Sequence, residues 1–222
     1  ILSGLVGSEM CIRDSVWASD CNDPVERIQI ERWTRTIVPP ELIGSHLGAA
    51  RSHTTARTTD LSFRLATSLT AHAGIEQDLT SVDDDELAAI ARWAGMYREF
   101  RDLLHSGRVV NADLADQATS LSGIVAQDGS AALFTWSRFA TSAAGQAGRV
   151  RFPGLDAHAA YSVRIREDLG SASRHGGDPV WVTTALAGAI EVPGVVLSTV
   201  GVPLPTLNAQ QAMLIEIRRT DS

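Results

Sequence analysis

Lysine is missing from this 222-residue chain, and all 19 of its basic residues are arginine. Set against 26 acidic residues, they leave a formal net charge of −7. That balance argues against a nucleic-acid binder, which needs clustered positive charge to displace the counterions of a phosphate backbone. With alanine and glycine abundant, the arginine bias points to a GC-rich bacterial genome rather than to a function. Cysteine is nearly absent too. Cys11 and Cys21 make neither a disulfide framework nor a metal-ligand spacing. A reducing, cytoplasmic setting is therefore expected, with no metal and no other cofactor. No apolar run reaches the roughly 18 residues of a membrane-spanning helix, so no membrane association is expected. What remains is ordinary for a globular protein: 44% hydrophobic and 20% charged residues. The length suffices for one large domain or two small ones with a sizeable core.

The opening segment fits nothing that follows it. "GLVGSEMCIRDS" has no basic start, and its apolar stretch is broken by Ser3, Gly4 and Gly7, so it fails as a signal peptide. It closely resembles a translated sequencing-adapter artefact, and residues 1–15 are set aside as non-native. A disordered native N-terminus is the alternative.

From Val16 the chain alternates short apolar runs with helical patterns. "VWASD" reads as a buried parallel strand ending at Asp20. A helix follows at once, with Asp23 as N-cap, Pro24 in the first position and Glu26 placed for a capping box. In that helix Val25, Ile28, Ile30, Trp33 and Ile37 are expected on one side, and Pro39-Pro40 stops it. "ELIGSHLG" reads as a strand ending in His46. A helix with Leu61, Leu65 and Leu69 spaced by four comes next, then a short strand around Ile75. The longest helix starts in the acidic cluster Asp83 to Glu86 and closes at Gly107, with Leu87, Ile90, Ala94, Tyr97 and Leu104 along one face. Residues 16–108 thus look like about three consecutive β/α units. After Gly107, strand-like alternation takes over. A turn at Asp128-Gly129 joins two strands as a hairpin. In "YSVRIR", Tyr161, Val163 and Ile165 share one face, and in "AMLIEIRR" so do Met213, Ile215 and Ile217. Residues 109–222 read as an antiparallel β domain, expected to be a sandwich. The fold class is α/β followed by all-β.

In β/α barrels the loops at the carboxyl ends of the strands carry the chemistry, and Asp20 stands at such a point. Alone it could equally be a turn or capping residue. Asp23 reads as a helix cap rather than a substrate ligand, and the run Asp83 to Glu86 as a solvated helix start rather than a metal site. His46, His53 and His72 lack zinc-motif spacing. His46 could line the mouth of a barrel or be structural. Cys21, beside Asp20, is a second candidate for substrate contact, or a small buried hydrophobe.

"VWASDCNDPVERIQIERW", "PPELIGSHLGAARSHTTAR", "DLSFR", "GIEQDL" and "LLHSGRVV" resemble, in that order, the end of the catalytic barrel of glycoside hydrolase family 36 α-galactosidases. "GLDAHAAYSVRI" and "GVPLPTLNAQQAMLIEI" are similar to strands of that family's C-terminal β domain. The resemblance runs from Val16 to Arg219. It implies the C-terminal part of a (β/α)8 barrel followed by an antiparallel β-sandwich, in a fragment of a retaining hydrolase of terminal α-galactosides. It also implies a parent enzyme that assembles as a homo-oligomer. The family's acid/base is the aspartate of a Ser-Asp pair, here Asp20 after Ser19. Its nucleophile belongs to a Lys-Trp-Asp motif on an earlier strand, which a chain without lysine does not contain. One departure is local: family members often have Thr-Gly-Arg where this chain has Thr55-Ala56-Arg57. The rival reading is a non-catalytic carbohydrate-binding or structural β module with helical attachments.

Overall fold

A computed structural model describes residues 15–146 and 148–220. Residues 1–14, most of the segment set aside as non-native, lie outside the described residues, and so does Cys11.

The first half is built on parallel pairing. Strand β1 (Gly44–Gly48) pairs in parallel with β2 (His72–Glu76), and Val16 adds a single parallel bridge to Ile43 just ahead of β1. Helix α1 (Pro24–Thr34) links the bridge to β1, α2 (Leu61–Thr67) links β1 to β2, and α3 (Asp84–Ser106) leaves β2 for the second half. This is the expected β/α alternation, with two corrections. The strand expected over "VWASD" is one paired residue, because the chain turns away from the sheet after Val16. β1 runs on to Gly48 rather than ending at His46, and Pro40–Leu42 forms a 3₁₀ turn in front of it.

Helix α1 starts as its sequence requires. Asp23 Oδ1 accepts from the Val25 amide at 2.9 Å, and Pro24 occupies a first-turn position where no amide is needed. Glu26 is engaged elsewhere: Arg57 Nη1 lies 3.3 Å from its carboxylate. The expected apolar face is also corrected. Trp33 and Ile37 are 65% and 83% exposed, whereas Arg27 and Glu31 are buried. The buried face of α1 meets the polar side of β1, where Glu31 accepts from Arg27 at 3.2 Å and also from Arg35 and Ser45. Polar groups tolerate burial when they are paired in this way.

Helix α3 is capped by Asp83, whose carboxylate accepts from the Glu86 amide at 2.8 Å. Its buried stripe is Ala89, Ile90, Trp93, Met96, Phe100 and Leu104. That stripe is rotated from the expected one, and Leu87 is exposed. The reason is that α3 packs on two partners: the α2 layer on one side and the β domain on the other.

The β domain is one six-stranded antiparallel sheet in the order β3-β4-β5-β12-β7-β9. Its strands are β3 (Arg108–Asn111), β4 (Thr119–Val125), β5 (Ala131–Arg138), β7 (Ala160–Arg166), β9 (Ile190–Pro193) and β12 (Gln211–Arg219). The hairpin β4–β5 turns at Asp128-Gly129 as expected, Gly129 taking a φ of 72°. The second layer is made of two short ribbons. In them β6 (Arg149–Val150) pairs with β10 (Val202–Pro203), and β8 (Arg174–His175) with β11 (Thr206–Leu207). Helix α4 (Val180–Ala187), apolar nearly all round and not foreseen from the sequence, completes that layer.

Both faces of the sheet are therefore covered. Tyr161, Val163, Ile165, Met213, Ile215 and Ile217 point into the domain's own core, as their alternation requires. The opposite face, with Ile124, Leu133, Ala212 and Leu214, packs against Phe63, Leu65, Trp93 and Phe100 of α2 and α3. Arg166 of β7 pins the two halves together. It pairs with Glu99 of α3 at 2.8 Å and with Glu216 at 2.9 Å, and it lies over the Phe100 ring. Its guanidinium is pushed above its usual range, first by the hydrogen bond to Glu99 and then by that to Asp168.

Candidate active site

The register of β1 with β2 places Gly44 beside His72, His46 beside Gly74 and Gly48 beside Glu76. Side chains alternate along a strand, so these six share one face. The other face carries Ser45 and Leu47, both fully buried towards the helices. The first face lines an open cleft of about 580 Å³, bounded by Val16, Trp17, Gly44, His46, His72 and Glu76. Gly44 and Gly74 on this face are needed for space. A Cβ on Gly44 would stand 2.8 Å from Trp17 Cε3, and one on Gly74 would stand 2.6 Å from His46 Cδ2. Trp17 and His46 thus pack over bare backbone, with ring centroids 4.5 Å apart.

Asp20 is exposed at the carboxyl end of this first segment, in the loop that leads to α1. Trp17 Nε1 donates to its Oδ1 at 3.0 Å. Asp20 is not itself among the cleft's lining residues; Trp17 joins it to the cleft. Of the two other candidates, His46 lines the cleft. Cys21 does not: its Sγ lies 3.2 Å from Thr54 Oγ1, and its amide donates to Ser19 Oγ at 3.1 Å. Trp17 and Glu76 were not singled out from the sequence. The Trp-x-x-Asp spacing was visible there, but an indole partner is recognisable only once the turn is seen.

A second loop braces the first. Asp23 is completely buried, and its Oδ2 accepts from Arg57 Nη1 at 2.6 Å and from Thr55 Oγ1. Burial alone would lower the Arg57 guanidinium, but the hydrogen bond and charge of Asp23 outweigh it and hold it above its usual range. Asp23 is therefore a cap and an anchor. Ala56 sits between the two anchoring residues with a φ of 57°, in the left-handed region. That region costs a residue with a Cβ roughly 1–2 kcal/mol, and glycine nothing comparable. Glycine's greater freedom in the unfolded chain offsets about 0.4–1 kcal/mol of the gain. Ala56→Gly is therefore expected to stabilise the protein by about 0.5–1 kcal/mol, seen as a higher midpoint in chemical denaturation. An unchanged or lower midpoint would contradict a strained backbone at Ala56.

His46 is held below its ordinary value of 6.5, chiefly by burial; Arg27 and His72 push the same way and Glu76 opposes them. Its Nδ1 lies 3.8 Å from Glu76 Oε2. Burial prevails, so at neutral pH this contact is between a neutral imidazole and a carboxylate rather than an ion pair. His105 on α3, 2.7 Å from Tyr97 Oη, is lowered for the same first reason, helped by His72. Both imidazoles bind fewer protons in the folded chain than in the unfolded one. Their contribution to stability is complete above pH 6.5 and is lost as pH falls through the depressed folded values. The thermal midpoint is accordingly expected to drop between pH 7.5 and pH 5.5, and His46→Gln should flatten that dependence. A midpoint that rises over the same interval would contradict the burial of these rings.

Two family models match the chain: Melibiase over residues 6–107 and the glycosyl hydrolase family 36 C-terminal domain over residues 119–217. The first match begins inside the segment set aside as non-native. An α-galactosidase of Escherichia coli is 35% identical over 209 residues, covering 91% of this chain and 29% of the relative. α-Galactosidase C of Emericella nidulans is 30% identical over 150 residues, covering 67% of this chain and 20% of the relative. The chain thus spans less than a third of the length of the curated relatives it matches. Among solved structures, a singly substituted variant of the family 36 α-galactosidase AgaA of Geobacillus stearothermophilus in complex with 1-deoxygalactonojirimycin superposes with a TM-score of 0.75. It is 22% identical, with 93% of this chain and 26% of that one covered. A variant of the same enzyme in complex with raffinose gives the same TM-score. Barrel end and β domain match in the order in which the chain carries them, and the chain belongs to glycoside hydrolase family 36.

Proposed function

We propose that the chain is the C-terminal part of a retaining α-galactosidase, with Asp20 as its acid/base and the nucleophilic carboxylate supplied by an upstream segment. The observation that carries this reading is the placement of Asp20. Its carboxylate is exposed just beyond a parallel-paired residue, where β/α enzymes keep their chemistry, and is linked by Trp17 to the open cleft that His46 and Glu76 line.

Retention needs two carboxyl groups about 5–5.5 Å apart. In the first step the Asp20 carboxylic acid gives its proton to the glycosidic oxygen. That oxygen takes the electron pair of its breaking bond to C1, while the nucleophilic carboxylate forms a bond to C1 from the opposite face. In the second step the Asp20 carboxylate takes a proton from water as the water oxygen displaces the nucleophile. The substrates would be terminal α-galactosides such as the raffinose bound by the Geobacillus stearothermophilus variant. Neutral His46 and the Glu76 carboxylate offer the donors and acceptors that sugar hydroxyls require. Removal of the Asp20 carboxylate tests the reading: it should sharply lower turnover of raffinose while an aryl galactoside with a good leaving group is still attacked.

A further inference from the structure

We propose that Trp17 is the positioning residue of this site, holding Asp20 Oδ1 and thereby reserving Oδ2 for the proton that passes to the glycosidic oxygen. The inference rests on the reading of Asp20 as acid/base. Its physical basis is the one-sidedness of the indole. Nε1–H donates and cannot accept, so an oxygen facing it must act as acceptor whether Asp20 is charged or protonated. At 3.0 Å that oxygen is Oδ1. A carbonyl oxygen accepts more strongly than a hydroxyl oxygen, so in the acid form this hydrogen bond favours the proton on Oδ2, the oxygen left free for the leaving group.

An orienting donor is useful only if it is itself fixed. The Trp17 ring rests on the bare backbone of Gly44, with His46 packed at 4.5 Å on a 53° tilt. The Arg27 guanidinium lies 5.4 Å from the ring centroid, and Arg27 is itself buried and paired with Glu31. Arg27 also donates to the carbonyl of Gly44 at 2.7 Å and to that of Cys21 at 3.3 Å. One guanidinium thus supports the indole and grips the residue next to Asp20. Donor and carboxylate are held in the same bracket, and a rotation of Asp20 away from the leaving group would break the hydrogen bond from Trp17.

The test uses the full-length enzyme carrying this segment. Trp17→Phe keeps an aromatic ring over Gly44 and removes the donor. Misplacement of a reacting group by about 1 Å costs up to about 100-fold, so kcat/KM for raffinose should fall by about 10- to 100-fold with KM little changed. Attack on an activated aryl α-galactoside, which needs no proton, should fall far less than raffinose turnover, and an unchanged thermal midpoint reports that the variant is folded. Equal losses on both substrates, or no loss on either, would overturn the assignment. Should Trp17→Phe fail to fold, 3-benzothienylalanine at position 17 replaces N–H with sulfur in a nearly identical shape, with the same expected and contrary results. Asp20→Ala is measured alongside. If that variant loses both substrates equally, the acid/base reading fails; if it discriminates between them and Trp17→Phe does not, the positioning role alone fails.

Discussion

Asp20→Ala in the full-length enzyme is expected to lower kcat/KM for raffinose by about 10²–10⁴-fold, the range typical of a lost general acid/base. The loss should depend on the leaving group. A sugar alkoxide departs poorly without a proton, so raffinose should suffer most. A nitrophenolate departs unaided, so the galactosyl-enzyme should still form from an aryl α-galactoside. Its hydrolysis should then stall, because no base is left to activate water, and the intermediate should accumulate as a burst. Added azide, a nucleophile that needs no deprotonation, should restore turnover. Equal losses on good and poor leaving groups, without rescue, would reduce Asp20 to a structural role. The position of Asp20 makes this pattern the natural one: it is exposed, and it is oriented by a donor that cannot replace it as an acid.

Glu31→Ala is expected to destabilise the β/α half by about 3–5 kcal/mol, the usual cost of stranding buried charge. Glu31 sits among Arg27, Arg35 and Ser45, all within hydrogen-bonding reach. Arg35 continues the network to Thr70 at 2.8 Å. Removing the carboxylate would leave two buried guanidinium groups without their counter-charge. Arg27 would then be free to leave the carbonyls of Gly44 and Cys21, which it now holds. Glu31→Gln, which keeps hydrogen-bonding capacity but no charge, should fall between wild type and Glu31→Ala. Thermal unfolding of the three proteins checks the order, and a midpoint for Glu31→Ala within a degree of wild type would contradict the account of α1.

That helix also shows where sequence reasoning stops. Its start was legible because capping is local chemistry: an aspartate before a proline at a helix start reads the same way in any fold. The acidic start of α3 at Asp83, the turn at Gly129 and the inward set Tyr161, Val163 and Ile165 were legible for similar reasons. The face of α1 was not. Periodicity places apolar residues inward by default, and it has no means of knowing that Arg27 and Glu31 complete each other's bonds against β1. For β12 the alternation correctly gave Met213, Ile215 and Ile217 as core. It missed Ala212 and Leu214, because their face is covered by helices from the other half of the chain. Helix α4 escaped because an apolar segment of eight residues carries no period that separates helix from strand. At the site, Asp20 and His46 were visible as residue types in plausible places. Trp17 was not, since its role depends on a hydrogen bond across a turn. The departure at Ala56 was visible as an alanine where family members often carry glycine, and the backbone there is left-handed.

The most direct measurement on the central claim is the anomeric configuration of the galactosyl azide formed when Asp20→Ala is rescued by azide on an aryl α-galactoside, read by proton NMR. A retaining enzyme whose nucleophile is intact inverts C1 once on forming the intermediate and again when azide attacks it. α-Galactosyl azide is therefore the expected product. β-Galactosyl azide, the product of a single inversion, would show that the variant had lost its nucleophile rather than its acid/base, and would contradict the role assigned to Asp20.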